Sequence, residues 1–203
     1  MSVNFLACSR MNIITLLLTL TCSAVWGQRI DLGKETEKPI TVTEDQLWKE
    51  LKSYEGNFRI LCPGEMEVKV DSMITGIGQL AYHTFYFQDD NTAENLLYML
   101  SYCDYPEYTV HSDSTELHQE FFKATLESAV NSVNGVLLYS DDMDFRGYPG
   151  KVWRIDYLNG MAVIKTRAYL IGNRYYSLQT ITLKERSLNT ASDKFLDSFR
   201  LLE

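Results

Sequence analysis

The chain has 203 residues, with 19 basic against 27 acidic side chains, 12% aromatic residues and four cysteines. That length fits one domain with a sizeable core, and the acidic balance argues against nucleic acid or an anionic membrane surface as a general partner.

Residues 1–27 read as a signal peptide. Arg10 supplies the positive start, Met11 to Leu20 is a short apolar run, and Val25 and Gly27 suit the −3 and −1 positions before cleavage between Gly27 and Gln28. The run is shorter than the roughly 20 residues a membrane span needs, so no integral membrane segment is expected once the leader is removed. Met11 is an alternative start. Cys22 raises lipidation, but Thr21 and Thr19 hold the places where a lipobox wants a small residue and a Leu, so export to the periplasm or medium without a lipid is expected. Processing leaves 176 residues with 18 basic and 27 acidic side chains.

Residues 28–42 are polar and aperiodic, a flexible lead-in, and residues 43–203 form a single domain. Thr43-Glu44-Asp45-Gln46 resembles a capping box with Leu47, Leu51 and Tyr54 at helical spacing behind it, which predicts a short helix. Phe58 to Pro63 alternates as a strand, followed by strands over Met66–Val70, Gly78–Phe87 and Leu96–Tyr105. Asp113-Ser114-Thr115-Glu116 opens a long helix to about Asn134, with Phe122, Leu126, Ala129 and Val133 as its apolar stripe. Phe145 to Thr182 reads as three strands joined at Asn159-Gly160 and Gly172-Asn173, and Thr190 to Asp193 starts a last short helix carrying Phe195, Leu196 and Phe199.

The first of those hairpins fixes its own register. With Asn159-Gly160 as the loop, Leu158 faces Met161, Tyr157 faces Ala162, Ile155 faces Ile164 and Trp153 faces Thr166; all but Thr166 are apolar. On the other face Arg154 then opposes Lys165, with Arg167 beyond. Opposed like charges destabilise a strand pair and normally have a reason.

Strands, a helix, hairpins and a helix predict an α+β domain with a mainly antiparallel sheet, apolar on both sides and so covered by helices on both faces. Four local features accompany this layout: Phe58-x-Ile60-x-x-Pro63, Tyr102-x-Asp104-Tyr105-Pro106, Gly147-Tyr148-Pro149-Gly150 and Phe195-Leu196-x-Ser198-Phe199. With them the chain resembles the PsbP-like α/β/α sandwich superfamily, which includes the extrinsic PsbP subunit of photosystem II and many small exported bacterial proteins of unassigned role. The resemblance implies a fold and a habit of assisting larger assemblies; no active-site motif comes with it.

Reactive motifs are weak throughout. Gly76-x-Gly78-x-x-Ala81 spells a dinucleotide fingerprint, but strand rather than helix is predicted to follow. His111 and His118, with Asp113 and Glu116 between, are too far apart in spacing for one zinc face, and His83 reads as a core residue. Asp141-Asp142-x-Asp144 before Gly147 is a faint calcium pattern without the bidentate Glu; a solvated acidic turn is the simpler reading. No cofactor is implied. Cys62 and Cys103 are readable as a disulfide or as two buried thiols. Arg154, Lys165 and Arg167 form the candidate binding patch for a small anionic ligand or a protein partner, or else a set of exposed side chains paired with Asp156 and Glu185. The function these features predict is an exported, non-enzymatic binding or accessory module. The alternative is an exported hydrolase whose site is not readable from spacing, and a purely structural envelope component is a third reading.

Overall fold

The structure, a computed structural model, describes residues 48–89 and 93–202. The leader, the lead-in, Cys22, the Gly27–Gln28 junction, the Thr43–Gln46 box and Asp90-Asn91 lie outside the described residues.

Chain order gives β1 (Lys49–Ser53), β2 (Phe58–Cys62), β3 (Glu67–Thr75), β4 (Gly78–Gln88), β5 (Leu97–Asp104), α1 (Thr115–Ser132), β6 (Val136–Phe145), β7 (Tyr148–Tyr157), β8 (Ala162–Ile171), β9 (Arg174–Leu183), α2 (Thr190–Asp197) and β10 (Arg200–Leu201). Seven strands build one antiparallel sheet in the order β3-β4-β5-β9-β8-β7-β6, and β1-β2-β10 build a second, small one.

Side chains alternate across the large sheet and feed two cores. One face carries Tyr82, Met99, Cys103, Trp153, Ile155, Ile164, Leu170 and Ile181, and α1 closes it with Phe121, Phe122, Leu126, Ala129 and Val133. The opposite face carries Phe85, Tyr98, Leu100, Tyr102, Tyr169, Tyr176 and Leu178, covered by Phe58, Ile60 and Cys62 of β2 and by Phe195, Leu196 and Phe199 at the C-terminus. That second cover is therefore a small sheet with one short helix, where two helices were predicted. Lys49–Ser53 is a strand because all five of its residues pair with β2, and Tyr54, expected on the helix's apolar face, is 84% exposed in the turn.

The predicted register of β7 against β8 holds at Tyr157–Ala162, Ile155–Ile164, Trp153–Thr166 and Arg154–Lys165. The reversal itself differs: Leu158, Asn159 and Gly160 all take positive φ, so the loop has four residues and Leu158 is not paired with Met161. Both side chains are exposed and have no packing to hold them in the ladder. At the second hairpin Ile171 pairs with Arg174 across Gly172-Asn173, as expected.

Strand β6 lies where an acidic turn was predicted. It forms the sheet edge beside β7 and bulges between Leu137 and Tyr139. The long helix ends at Ser132 in a Schellman motif: the Asn134 N–H donates to the Asn131 carbonyl (3.1 Å), and that of Gly135 to Val130 (3.0 Å). Asn134 takes the left-handed conformation (φ 48°), while Gly135 is required for closeness, since a Cβ there would sit 2.5 Å from Ile155 and 2.8 Å from the Asp156 carbonyl. Helix α2 is capped by Asn189, one residue before the predicted start, whose side chain accepts from the Ser192 N–H at 2.7 Å.

Candidate functional site

The helix-facing side of the large sheet has a polar floor. Thr84 on β4 pairs with Ser101 on β5, and Ser101 with Ser177 on β9; one step along, Met99 pairs with Gln179, and Gln179 with Thr166 on β8, which faces Trp153 on β7. These residues interrupt otherwise apolar alternations at the same level in neighbouring strands. Together with Ala129, Ser132 and Val133 of α1 they line a cavity of about 50 Å³ between helix and sheet.

Two polar atoms in its wall lack hydrogen-bond partners among the described residues: the Thr166 hydroxyl, whose residue is 0% exposed, and the Trp153 indole N–H, 1% exposed. On the helix side of the same core, the fully buried Thr125 hydroxyl is in the same condition. Leaving such a group unsatisfied costs about 1–3 kcal/mol, a cost that water or a polar ligand atom in the cavity would remove. Ser101 and Gln179 are half-buried although they sit in central strands, so the cavity reaches solvent on that side. Among the described residues its lining includes no carboxylate, imidazole, thiol or ammonium. Tyr82 and Tyr175 are its titratable groups; burial pushes both phenols up, so both are neutral near pH 7. The wall offers donors and acceptors without an acid, a base or a strong nucleophile.

The basic patch does assemble. Arg154, Lys165 and Arg167 share the outer face of β7 and β8, as predicted, but the partners differ from those expected. Asp193 and Asp197, four apart and so on one side of α2, reach Lys165 (3.7 Å) and Arg167 respectively, while Asp156 is held by Lys184 (2.7 Å). The opposed cations thus form a seat for α2, and an incoming anion would compete with two carboxylates there. Arg154 Nε is buried without a hydrogen-bond partner among the described residues.

Elsewhere the sequence-predicted groups are dispersed. Cys62 and Cys103 are free and lie in the two cores on opposite faces of the large sheet, so no bridge joins them; burial pushes both thiols up to about 12. Gly76-Ile77 is the hairpin between β3 and β4, with no helix to receive a pyrophosphate. Asp141, Asp142 and Asp144 run along a strand: Asp142 binds Lys151, and Asp144 accepts from the Gly147 N–H (3.0 Å). His83 stacks on Tyr102 (centroids 4.4 Å apart, planes at 7°) within 3.9 Å of Glu55. His111 lies 3.5 Å from Asp113, and His118 borders a separate shallow groove between α1 and the β6–β7 strands. Among the described residues no three His, Cys, Asp or Glu converge to hold a metal ion.

Two further polar clusters are structural ties. Arg174 grips Asp104 with two bonds (2.5 and 2.6 Å), donates to the Glu55 carbonyl (2.8 Å) and lies over the Tyr102 ring. Asn95, fully buried, donates to the Tyr98 hydroxyl (2.9 Å) and to Asn189 (3.1 Å), and accepts from Ser192 (2.7 Å), joining the loop before β5 to the start of α2.

No family model matches the sequence, and neither does any curated protein sequence. The structure is similar to the solution structure of cyanobacterial PsbP (CyanoP) from Synechocystis sp. PCC 6803, with a TM-score of 0.53 at 10% identity, over 84% of this chain and 98% of that one. The chain thus has a PsbP-like fold, and at this identity the likeness concerns the fold alone.

Proposed function

We propose that the protein is an exported accessory module that works by binding rather than by catalysis, and that the cavity beneath α1 receives the small, uncharged end of its ligand. The observation that carries this reading is the pairing of unpartnered Thr166 and Trp153 polar atoms with a wall free of charged side chains. Desolvating a charge there would have no counter-ion to offset it, which selects against carboxylates and amines. A neutral group with one acceptor for the indole N–H and a second polar atom for Thr166 fits, its apolar body resting on Met99, Ile155, Ile164 and Val133. Export is supported by the character of residues 1–27, and the accessory role by the resemblance in fold.

The inner cavity takes about four heavy atoms. At a ceiling of about 1.5 kcal/mol per atom, such a fragment binds no tighter than roughly tens of micromolar. Acetamide is therefore a suitable probe, with acetate as its charged counterpart. Titrating the ¹⁵N-labelled protein, we expect acetamide to shift the Trp153 indole resonance saturably while that of Trp48, which packs on Tyr98 outside the cavity, stays put. Acetate at equal concentration should move neither. A folded protein whose Trp153 resonance responds to no neutral probe, or equally to acetate, would overturn the proposal.

A further inference from the structure

The groove between α1 and the β6–β7 strands has a volume of about 460 Å³, within the range of small-molecule sites, and shares no lining residue with the cavity beneath α1. Phe122 and Leu126, one helical turn apart on α1, face Pro149 of β7 across it and give it an apolar floor. Its charges are Lys123 on the helix, Lys151 on β7 and Asp142, which lies opposite Lys151 in the ladder. The chain as a whole has 19 basic against 27 acidic side chains, yet this groove holds two ammonium groups and one carboxylate.

Lys151 is the more informative of the two cations. Its side chain is only 17% exposed, while that of Asp142, its hydrogen-bond partner, is 82% exposed. An ammonium carries three N–H donors, so two are left for another acceptor. Lys123 has no ion-pair partner among the described residues. The next carboxylate along that side of β6, Asp144, accepts from the Gly147 N–H, and Glu116, Glu120 and Glu127 of α1 are exposed and outside the lining.

We propose that this groove is a second ligand site, which takes a small carboxylate bearing an apolar chain. The carboxylate meets the spare Lys151 donors, Lys123 adds its charge from the helix, and the chain rests on Phe122, Leu126 and Pro149. Charge selects the head group. A cationic ligand would face two like charges, and a neutral one would displace water from Lys151 without matching its donors. The site is independent of the cavity, which selects against charge.

Octanoate titrated into the purified ¹⁵N-labelled protein tests the proposal, with 1-octanol and octylammonium as its neutral and cationic counterparts. Octanoate should shift the backbone amides of Lys123, Leu126 and Lys151 saturably, with half-saturation on the order of 1 mM. The two counterparts should bind at least tenfold more weakly, and added salt should weaken octanoate. Lys151→Met, which keeps the stem and removes the charge, should weaken octanoate at least tenfold; Lys123→Glu, at an exposed helix position, about fivefold; Lys69→Gln on β3 not at all. If circular dichroism shows Lys151→Met misfolded, Lys123→Glu decides. No saturable shift in the groove, equal binding of octanol, or octanoate affinity untouched by both groove substitutions overturns the proposal. So does a response confined to the Trp153 indole, which would put octanoate in the cavity, whereas groove shifts in a protein whose Trp153 ignores acetamide would sink the cavity reading alone.

Discussion

Thr166 and Thr180 provide a matched pair of substitutions. Both are threonines in central strands of the same sheet, and both are 0% exposed. Thr166 looks into the cavity with its hydroxyl unpartnered among the described residues, whereas the Thr180 hydroxyl is 3.1 Å from that of Ser192. Replacing either by valine keeps shape and volume and exchanges a hydroxyl for a methyl. At Thr180 the change removes a buried hydrogen bond and costs about 1 kcal/mol or somewhat more. At Thr166 there is no protein bond to lose. If only water fills the cavity the exchange is close to neutral, and if nothing does, the protein gains part of the roughly 1–3 kcal/mol that the unsatisfied hydroxyl cost. The difference between the two variants should therefore be at least about 1 kcal/mol, or about 2–4 °C in midpoint for a domain of this size. Urea unfolding followed by tryptophan fluorescence measures it. Thr166→Val should also weaken acetamide binding by about tenfold, the loss of one hydrogen bond. A Thr166→Val protein destabilised as much as Thr180→Val would mean that the hydroxyl is already satisfied within the fold, and the binding argument would fail.

Three other outcomes follow from the same coordinates. Gly150→Ala should destabilise by about 1–3 kcal/mol in calorimetry, because a Cβ would sit 2.8 Å from both the Ala168 carbonyl and the Tyr169 ring. Asn95→Ala should cost about 2–4 kcal/mol in urea unfolding, since it removes three buried hydrogen bonds, to Tyr98, Asn189 and Ser192. Stability should fall above about pH 9: each buried thiol is raised from 9.0 to about 12 in the fold, so the unfolded chain releases its protons first, and each contributes a slope of up to about 1.4 kcal/mol per pH unit until pH 12. Cys62→Ala/Cys103→Ala should flatten that part of the pH profile.

The strands that turn tightly or bury one face were legible in the sequence. The Trp153-to-Thr166 register could be counted because alternation and turn agreed, and Thr166 already stood out as the polar residue in that row. Strand β6 was hidden because Val136 to Phe145 is exposed on both sides and so carries no alternation. Strand β1 was misread because Leu47, Leu51 and Tyr54 share a helical spacing by coincidence, while pairing with β2 decides its conformation. The cavity floor was visible only in pieces: Thr84, Ser101, Ser177 and Gln179 each interrupt an apolar strand, but their convergence depends on the order β4-β5-β9-β8, which no local pattern encodes. The charge cluster was found and its neighbours were not, since α2's place above β8 is a tertiary fact.

The most direct measurement is a high-resolution diffraction map of the protein purified from its own source, inspected between Thr166 and Trp153. The account predicts density for a non-protein molecule larger than water, uncharged, within hydrogen-bond distance of Thr166 Oγ1 and Trp153 Nε1. Water alone in that space, or side chains repacked so that both atoms bond within the protein, would contradict it.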